Sequence, residues 1–491
     1  MMKYYVYQTK EKKYAVKKEG SKRALKVFDN KIDALKYAQG LANKNNGQVV
    51  DQTLVKEISK KLKKTKHPFL VVLVIILVIC LLGGFTYYGY KKGFINLDFL
   101  ERGSNNHQYE NVTSGVVYDD FQIHIMQLGN NKNGDAIYIK AGEKNILIDA
   151  GTSKIDQLQN YINTCNLDEN KNPIKVDKFD YVIVTHSDLD HIEGFTSSNS
   201  MFDRYKIDTI IDFKTEKAEV NDKGNKTKYG SYVESRKRAE VKGSKHYYAS
   251  DLFQDEEKRV FTLKENLTME IMYNKYYTET SNDENNYSVV TMFNYNNHKF
   301  LFTGDLEKDG EEAFANYYKN TLGQVDFYKA GHHGSKTSSN KVLLDLIKPK
   351  ICAVSCSAGN SEYTPNYKNV FPMQIFVDNI AQYTDNVYVT SMGMDDEEKP
   401  INGNIIVSCN GEDVSVASTG KESDNQDTSN GPIKLKDSLW FNKEIYVVDT
   451  GKKDSENGGN IYNFVSATKK KDYYNESTPN AIKVPFRVWP N

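Results

Sequence analysis

Apolar positions along this chain fall mostly into short runs rich in Val, Ile, Phe and Tyr, each closed by a polar turn. Runs of that kind predict strands. Phe121–Met126, Gly134–Ile139 and Asn145–Gly151 read as a meander that closes on Asp149-Ala-Gly151. Val182-Ile-Val184 reads as a buried strand, and further strands are expected at Leu267–Tyr273, Tyr287–Tyr295 and Lys299–Thr303. Helical spacing appears near Ile155–Thr164, at Glu307–Tyr318 and at Lys341–Ile347, the last stopped by Pro349. Between these elements, residues 213–246 read as a polar excursion without either period.

One apolar run differs in kind. From Phe69 to Gly89 the chain is uncharged, and its length matches the ~20 residues that cross a bilayer as a helix. Tyr87, Tyr88 and Tyr90 stand where aromatic anchors meet the interface. The run starts too late, and lacks the short basic leader, for a cleaved signal peptide. Charge sharpens the picture. Residues 1–68 carry 18 Lys+Arg against 6 Asp+Glu, a net of +12. The whole chain balances 65 against 65, so the remainder nets −12. The flank Lys60–Lys66 is more basic than Lys91-Lys92. By the positive-inside rule the expectation is a single-pass cell-membrane protein with a cytoplasmic N-terminus and its large part outside.

Four segments follow from these breaks. Residues 1–55 read as a small cytoplasmic β-β-α-β domain, with Phe28-Asp29-Asn30 capping its helix, and resemble a small bacterial domain family of unknown function. Residues 69–89 are the transmembrane helix and 118–418 the globular domain. After a Ser/Asp/Asn/Gly-rich linker, 432–491 form a β-rich module holding Trp440 and Trp489. Outside the apolar run lie Cys165, Cys352, Cys356 and Cys409, with neither a disulfide framework nor zinc-ribbon spacing.

The chemistry gathers at strand ends. After Val184 come His186, Asp188, Asp190 and His191, four metal-ligand side chains within six residues. Packed at the mouth of a buried strand, they form a coordination shell once a cation is present. Phe300-Leu-Phe-Thr-Gly-Asp305 and Val325–Ser335 are two more buried strands, presenting Asp305 and then His332 and His333.

The order Asp-Ala-Gly, His-x-Asp-x-Asp-His, Thr-Gly-Asp and His-His-Gly-Ser resembles a metallo-β-lactamase-fold hydrolase, and within that family the hydrolase branch found in ComEC-type competence proteins, over residues ~121–418. Asp188 stands where other members have a second histidine, and Asn286-Tyr-Ser288 matches that branch's Asn-x-Ser element. Two departures stand out: Tyr363-Thr-Pro365 lacks the late histidine, and the multi-helix channel is missing. The resemblance implies an α/β, four-layer αβ/βα sandwich that holds two divalent metal ions. His186 and Asp188 would bind one ion and Asp190 with His191 the other. Asp305 would bridge them, and one of His332 and His333 would complete the second site. Carboxylates mixed with imidazoles favour Zn²⁺ or Mn²⁺ over copper.

The expected activity is phosphodiester hydrolysis, with Asp190, Asp305 and Ser335 as catalytic groups. Asn286, Ser288 and Lys336 are candidates for holding substrate, with Arg236, Lys237 and Arg238 from the basic excursion (10 Lys+Arg, 5 Asp+Glu). Nucleic acid is the first substrate class. An anionic wall polymer such as teichoic acid, held by the C-terminal module, is the second. A degenerate metal site serving as scaffold or sensor is the third reading, motivated by the missing late histidine.

Overall fold

The computed structural model describes residues 3–51 and 112–490, except 10–11, 19, 22, 45–47, 130–132, 168–171, 360–365, 393–401, 421–430, 439–440, 442–443, 454–457 and 465–480. The apolar run 69–89, Tyr363-Thr-Pro365 and Trp440 lie outside the described residues. Among the described residues no helix is long and apolar enough to cross a membrane. The chain divides into two compact units, residues 1–105 and 106–491.

In the first unit, β1 (Lys3–Gln8), β2 (Tyr14–Lys18), β3 (Lys26–Phe28) and β4 (Gln48–Asp51) form one sheet in the order β3-β2-β1-β4. A helix, Lys31–Lys44, crosses over to make β1 and β4 parallel. The Asn30 side chain accepts from the Asp33 amide at 2.8 Å, the expected helix start. Lys26–Phe28 forms a further strand beside β2, so three strands precede the helix where the expected β-β-α-β order had two.

The second unit is built on two sheets. The first comprises β5 (Val112–Ser114), β6 (Phe121–Ile125), β7 (Ile137–Ala141), β8 (Lys144–Ile148), β9 (Lys178–Ile183), β10 (Lys206–Asp212) and β11 (Lys245–Tyr248), joined later by β19 and β20. The second runs from β12 (Val260–Lys264) and β13 (Leu267–Ile271) through β14 (Thr291–Tyr295), β15 (His298–Phe302) and β16 (Phe327–Lys329) to β17 (Ile351–Ala358) and β18 (Val387–Met392). Their spatial orders are β11-β10-β9-β8-β7-β6-β19-β20-β5 and β12-β13-β14-β15-β16-β17-β18, with β19 at Ile405–Cys409 and β20 at Val414–Ser418.

The sheets face each other across one apolar core, where Phe121 of β6 meets Phe293 and Phe300 with ring centroids 5.7 and 4.9 Å apart. Helix Ile155–Cys165 buries Ile155, Leu158 and Ile162 on the outer face of the first sheet. Helices Lys308–Tyr318, Lys341–Ile347 and Gln374–Ile380 cover the second. The result is the expected α/β sandwich, helix over sheet over sheet over helix.

Two expectations change. The 213–246 excursion is ordered by a helix, Lys228–Val241, whose Thr227 side chain accepts from the Gly230 amide, and by β11. Its one buried stripe is interrupted by charge, so helical period was hidden. The C-terminal strands β21 (Glu444–Lys453), β22 (Asn460–Phe464) and β23 (Ala481–Pro485) form a small sheet. Its Ile445 and Val447, with Phe486 just beyond β23, share a core with Phe371 and Phe376, so this sheet is fastened to the sandwich.

What positions the site is the direction of strands. β8, β9 and β10 run parallel in the first sheet, and β15, β16 and β17 run parallel in the second. Loops that leave their C-terminal ends meet along one edge, where ligands of α/β proteins gather. Gly151 lets these loops close up: a Cβ there would lie 1.6 Å from the Asp190 carbonyl oxygen. Gly151→Ala is therefore expected to cost at least about 3 kcal/mol and to lower metal content in the folded fraction. Calorimetry and elemental analysis of the variant check this, and wild-type stability with wild-type metal would refute it.

Candidate metal centre

The first ligand loop follows β9. Its backbone is braided into neighbouring strand ends, with the Ala150 amide donating to the His191 carbonyl at 2.9 Å and the Asp135 amide to that of Asp190 at 3.0 Å. Asp149, just past β8, takes a left-handed φ of 58° and is fully buried. Its carboxylate accepts from the Thr185 amide at 2.8 Å, the Thr185 hydroxyl at 2.7 Å and His191 Nδ1 at 2.8 Å. With its proton given to Asp149, the Thr185 hydroxyl is left to accept from His186 Nδ1 at 3.0 Å. Both histidines are thereby fixed with hydrogen on Nδ1 and with Nε2 facing inward.

The third loop does the same from the opposite sheet. His332 and His333 both sit at left-handed φ, 45° and 53°, a conformation that non-glycine residues hold only where the surroundings impose it. His333 Nδ1 donates to the Ser355 carbonyl at 3.0 Å, which again turns Nε2 inward. His332 Nδ1 lies 3.0 Å from the Thr337 hydroxyl. The second loop supplies Asp305, whose amide donates to Ser288 Oγ at 3.0 Å and whose Oδ1 accepts from the His332 amide at 3.1 Å.

Four imidazoles therefore converge on one oxygen. From Asp305 Oδ2, the Nε2 atoms of His191, His333, His332 and His186 lie at 3.1, 3.4, 3.9 and 4.0 Å. Asp190 Oδ2 is 3.2 Å from His333 Nε2, and ligand atoms of Asp190, His191, Asp305 and His333 all fall within 4.8 Å of one another. His186 Nε2 is buried without a hydrogen-bond partner, and Asp188 Oδ2 stands 3.9 Å from it.

Electrostatics follow from this crowding. Burial, with His191 beside it, lowers the His186 pKa to about 4, so its Nε2 lone pair is free at neutral pH. Burial also opposes charge on His191 and His333, but Asp305 first, then Asp149 for His191 and Asp135 with Asp190 for His333, outweigh it and raise both. Asp305 is held well below the usual carboxylate range because His191, His333 and His332 outweigh its own burial. Burial, with Asp283 next, pushes Glu307 up to about 7.

The donor set fits metal ions. An orphaned, neutral imidazole nitrogen aimed at carboxylates, and two imidazoles that must carry extra protons to tolerate Asp305, are both relieved by divalent cations. Asp190, His191, Asp305 and His333 would hold one ion, and His186 with Asp188 and Asp305 the start of a second.

The remaining sequence candidates have other partners. Asn286 is buried, donating to Ser281 Oγ at 3.1 Å and accepting from the Glu307 amide at 3.3 Å. Ser288 braces Asp305 and lies 3.4 Å from His186 Nδ1, so both residues support the loops from behind. Ser335 Oγ is turned into its own loop, 3.3 Å from Thr337 Oγ1, and Lys336 is exposed. Arg236 is buried against Asp212, donating through Nη1 at 2.7 Å, with Tyr232 and His246 on the same carboxylate. Arg238 bonds Asp203 at 2.8 Å, and Lys237 lies 3.6 Å from Glu219.

The excursion does reach the site, through Lys217, whose Nζ sits 2.6 Å from Asp188 Oδ1. Nothing in the residue pattern singles out Lys217, one of many lysines in a polar stretch. Asp135 was likewise missed: it is buried beside Lys329 Nζ at 3.0 Å and receives the Ser355 hydroxyl. Both carboxylates behind the candidate ligands sit next to a glycine or a Gly-containing turn, Gly134-Asp135 and Asp149-Ala-Gly151, and only the second of these stands out in the sequence.

Residues 129–195 match the metallo-beta-lactamase superfamily, and residues 4–56 a family described as an uncharacterized protein conserved in bacteria (DUF2188). Recombination protein 2 of Haemophilus influenzae is 36% identical over 84 residues, covering 17% of this chain and 10% of that protein. ComE operon protein 3 of Bacillus subtilis is 34% identical over 85 residues, 17% of this chain and 11% of that protein. Competence protein ComA of Neisseria gonorrhoeae is 36% identical over 83 residues, 17% and 12% respectively. The chain thus spans about a tenth of the length of these curated relatives. Among solved structures, the metallo-beta-lactamase fold protein YhfI from Bacillus subtilis aligns with a TM-score of 0.33 at 12% identity, over 56% of this chain and 98% of that one.

Because Arg236 neutralises a carboxylate with no exposed surface, Arg236→Met is expected to destabilise the fold by about 3 kcal/mol. Metal content per folded molecule should stay unchanged. A melting curve identical to wild type would return Arg236 to the surface cations.

Proposed function

We propose that this chain, which carries a metallo-β-lactamase superfamily domain with distant homology to competence proteins over a short region, is a metal-dependent hydrolase that cleaves phosphodiester bonds in nucleic acid. The observation that carries the proposal is the convergence of four Nε2 atoms on Asp305 Oδ2, with His186 Nε2 left unpartnered. Divalent ions in such a cluster supply a nucleophile at neutral pH and offset charge on a phosphoryl oxygen.

The chain's own residues set the stage for that chemistry. Asp149, through its hold on His191, and Thr185, through His186, keep the ring nitrogens in one tautomer, so no reorganisation is needed when substrate arrives. Lys217, half-exposed beside Asp188, offers a cation at the rim for a non-bridging phosphate oxygen. The glycine-tight packing of Gly151 against Asp190 keeps the loop from yielding as charge builds.

A wall polymer is less well served. Among the described residues of the C-terminal module, Trp489 lies 5.9 Å from Phe441, and Ile445, Val447 and Phe486 are core. A decayed site is disfavoured because every ligand candidate in the three loops is present, and five of the seven are buried. Residues 69–89 would tether the enzyme with its large unit outside the cell. Protease added to intact protoplasts should then digest residues after 91 and spare 1–60, and the reverse pattern would invert the topology.

The full chain, assayed with Mn²⁺ or Zn²⁺, is expected to cleave single-stranded DNA or RNA. Replacing Asp190 with Ala should slow cleavage by at least about a hundredfold. Teichoic acid hydrolysis with both nucleic acids left intact would overturn the assignment.

A further inference from the structure

A cavity lies along the same edge as the candidate metal ligands. It measures about 260 Å³ and is walled by Phe253, Tyr273, Tyr277 and Tyr317, with Arg259 and Glu256 at its margin. Topology fixes its place. Phe253 ends the short helix Ala249–Phe253 that directly follows β11, and β11, β10 and β9 run parallel, so this helix leaves the edge that the His186–His191 loop leaves. Tyr273 and Tyr277 follow β13, whose last residue Ile271 is opposite Thr291, itself opposite Phe302. The turn carrying Asp305 begins one residue later. Tyr317 comes from the helix that succeeds Asp305.

The cavity is also bonded to the centre. Asn274, on its wall, donates through Nδ2 to the carbonyls of Asn286 and Ser288, both at 2.8 Å. Ser288 Oγ is the atom that accepts from the Asp305 amide.

Its chemistry is that of a stacking site. Tyr273 and Tyr317 are stacked with nearly parallel planes, 9° apart with centroids at 4.4 Å, and Tyr317 is 51% exposed. Phe253 stands 5.6 to 6.0 Å from Tyr273, Tyr317 and Tyr277, with the Arg259 guanidinium 5.1 Å over its ring. Arg259 is matched by Glu270 at 3.4 Å, and Glu256 adds a further carboxylate to the wall. Among the described residues, the wall therefore lacks the unbalanced cation that a phosphate needs. A neutral, flat ring with polar edges fits it: the ring extends an existing stack, and the volume suits a single base and falls below that of larger ligand pockets.

We infer that this cavity is a nucleobase-stacking subsite, holding a base of the strand whose phosphate lies at the metal centre. The inference rests on the proposed nucleic-acid reading of that centre and deepens it. Stacking tolerates every base, so the subsite gives grip without sequence preference.

The test measures binding apart from cleavage. The metal-loaded full chain, at one fixed salt concentration, is titrated with a single-stranded phosphorothioate oligodeoxynucleotide, which resists cleavage, and with a fully abasic strand of the same backbone and length. Tyr317→Ala should weaken binding of the normal strand by on the order of tenfold, and Tyr317→Phe, which keeps the ring, should restore it. The abasic strand should bind wild type more weakly and be indifferent to either change. Equal affinity of wild type and Tyr317→Ala for the normal strand overturns the subsite. So does equal affinity of wild type for the two strands, or a teichoic acid affinity that Tyr317→Ala lowers to the same degree. If the binding differences hold but no nucleic acid is cleaved with Mn²⁺ or Zn²⁺, the hydrolase reading alone fails.

Discussion

Everything in the larger unit bends to one electrostatic constraint: a buried carboxylate oxygen of Asp305 faced by four imidazole nitrogens within 4.0 Å. Burying that much titratable surface is costly unless the charges are matched. Protons alone satisfy it poorly, because His186 is driven toward its neutral form while His191 and His333 are driven toward the charged one. Divalent cations would relieve both demands at once. The same constraint explains the carboxylates in the layer behind, since Asp149 and Asp135 fix the rings that face Asp305.

The fold meets this constraint with backbone that is awkward elsewhere. Asp149, His332 and His333 all adopt left-handed φ, and Gly151 admits a contact that no other residue allows. Such local conflicts persist where the surroundings hold them, and here two apolar sheets with a shared core do so. These residues follow two strands, β8 and β16, so the scaffold holds the candidate ligands in one orientation.

Much of this was legible in the chain. The strand-ending ligands could be read because a short apolar run followed by clustered His and Asp puts more charge at a buried strand end than protons and solvent readily satisfy. The four-layer sandwich was implied by the resemblance of the motifs, while the strand pattern predicted only strands that build it. The structure brings His186, Asp190, His191, Asp305 and His333 together. Lys217 was not legible, because proximity across loops leaves no trace in a polar stretch of mixed charge. Arg236 misled for a related reason. A buried arginine and a surface arginine look alike in sequence, and only Asp212, Tyr232 and His246 around it reveal which it is. Likewise the C-terminal strands looked separate because a linker precedes them, yet their apolar residues pack into the sandwich.

The central claim is that Asp305 is shared between metal ions, and elemental analysis of purified protein tests it most directly. Wild type reconstituted with Zn²⁺ or Mn²⁺ should hold up to two ions per chain, and Asp305→Ala should lose most of both while keeping the fold by circular dichroism. An Asp305→Ala protein with wild-type metal content would contradict the account, because no carboxylate serving both positions could be removed without loss.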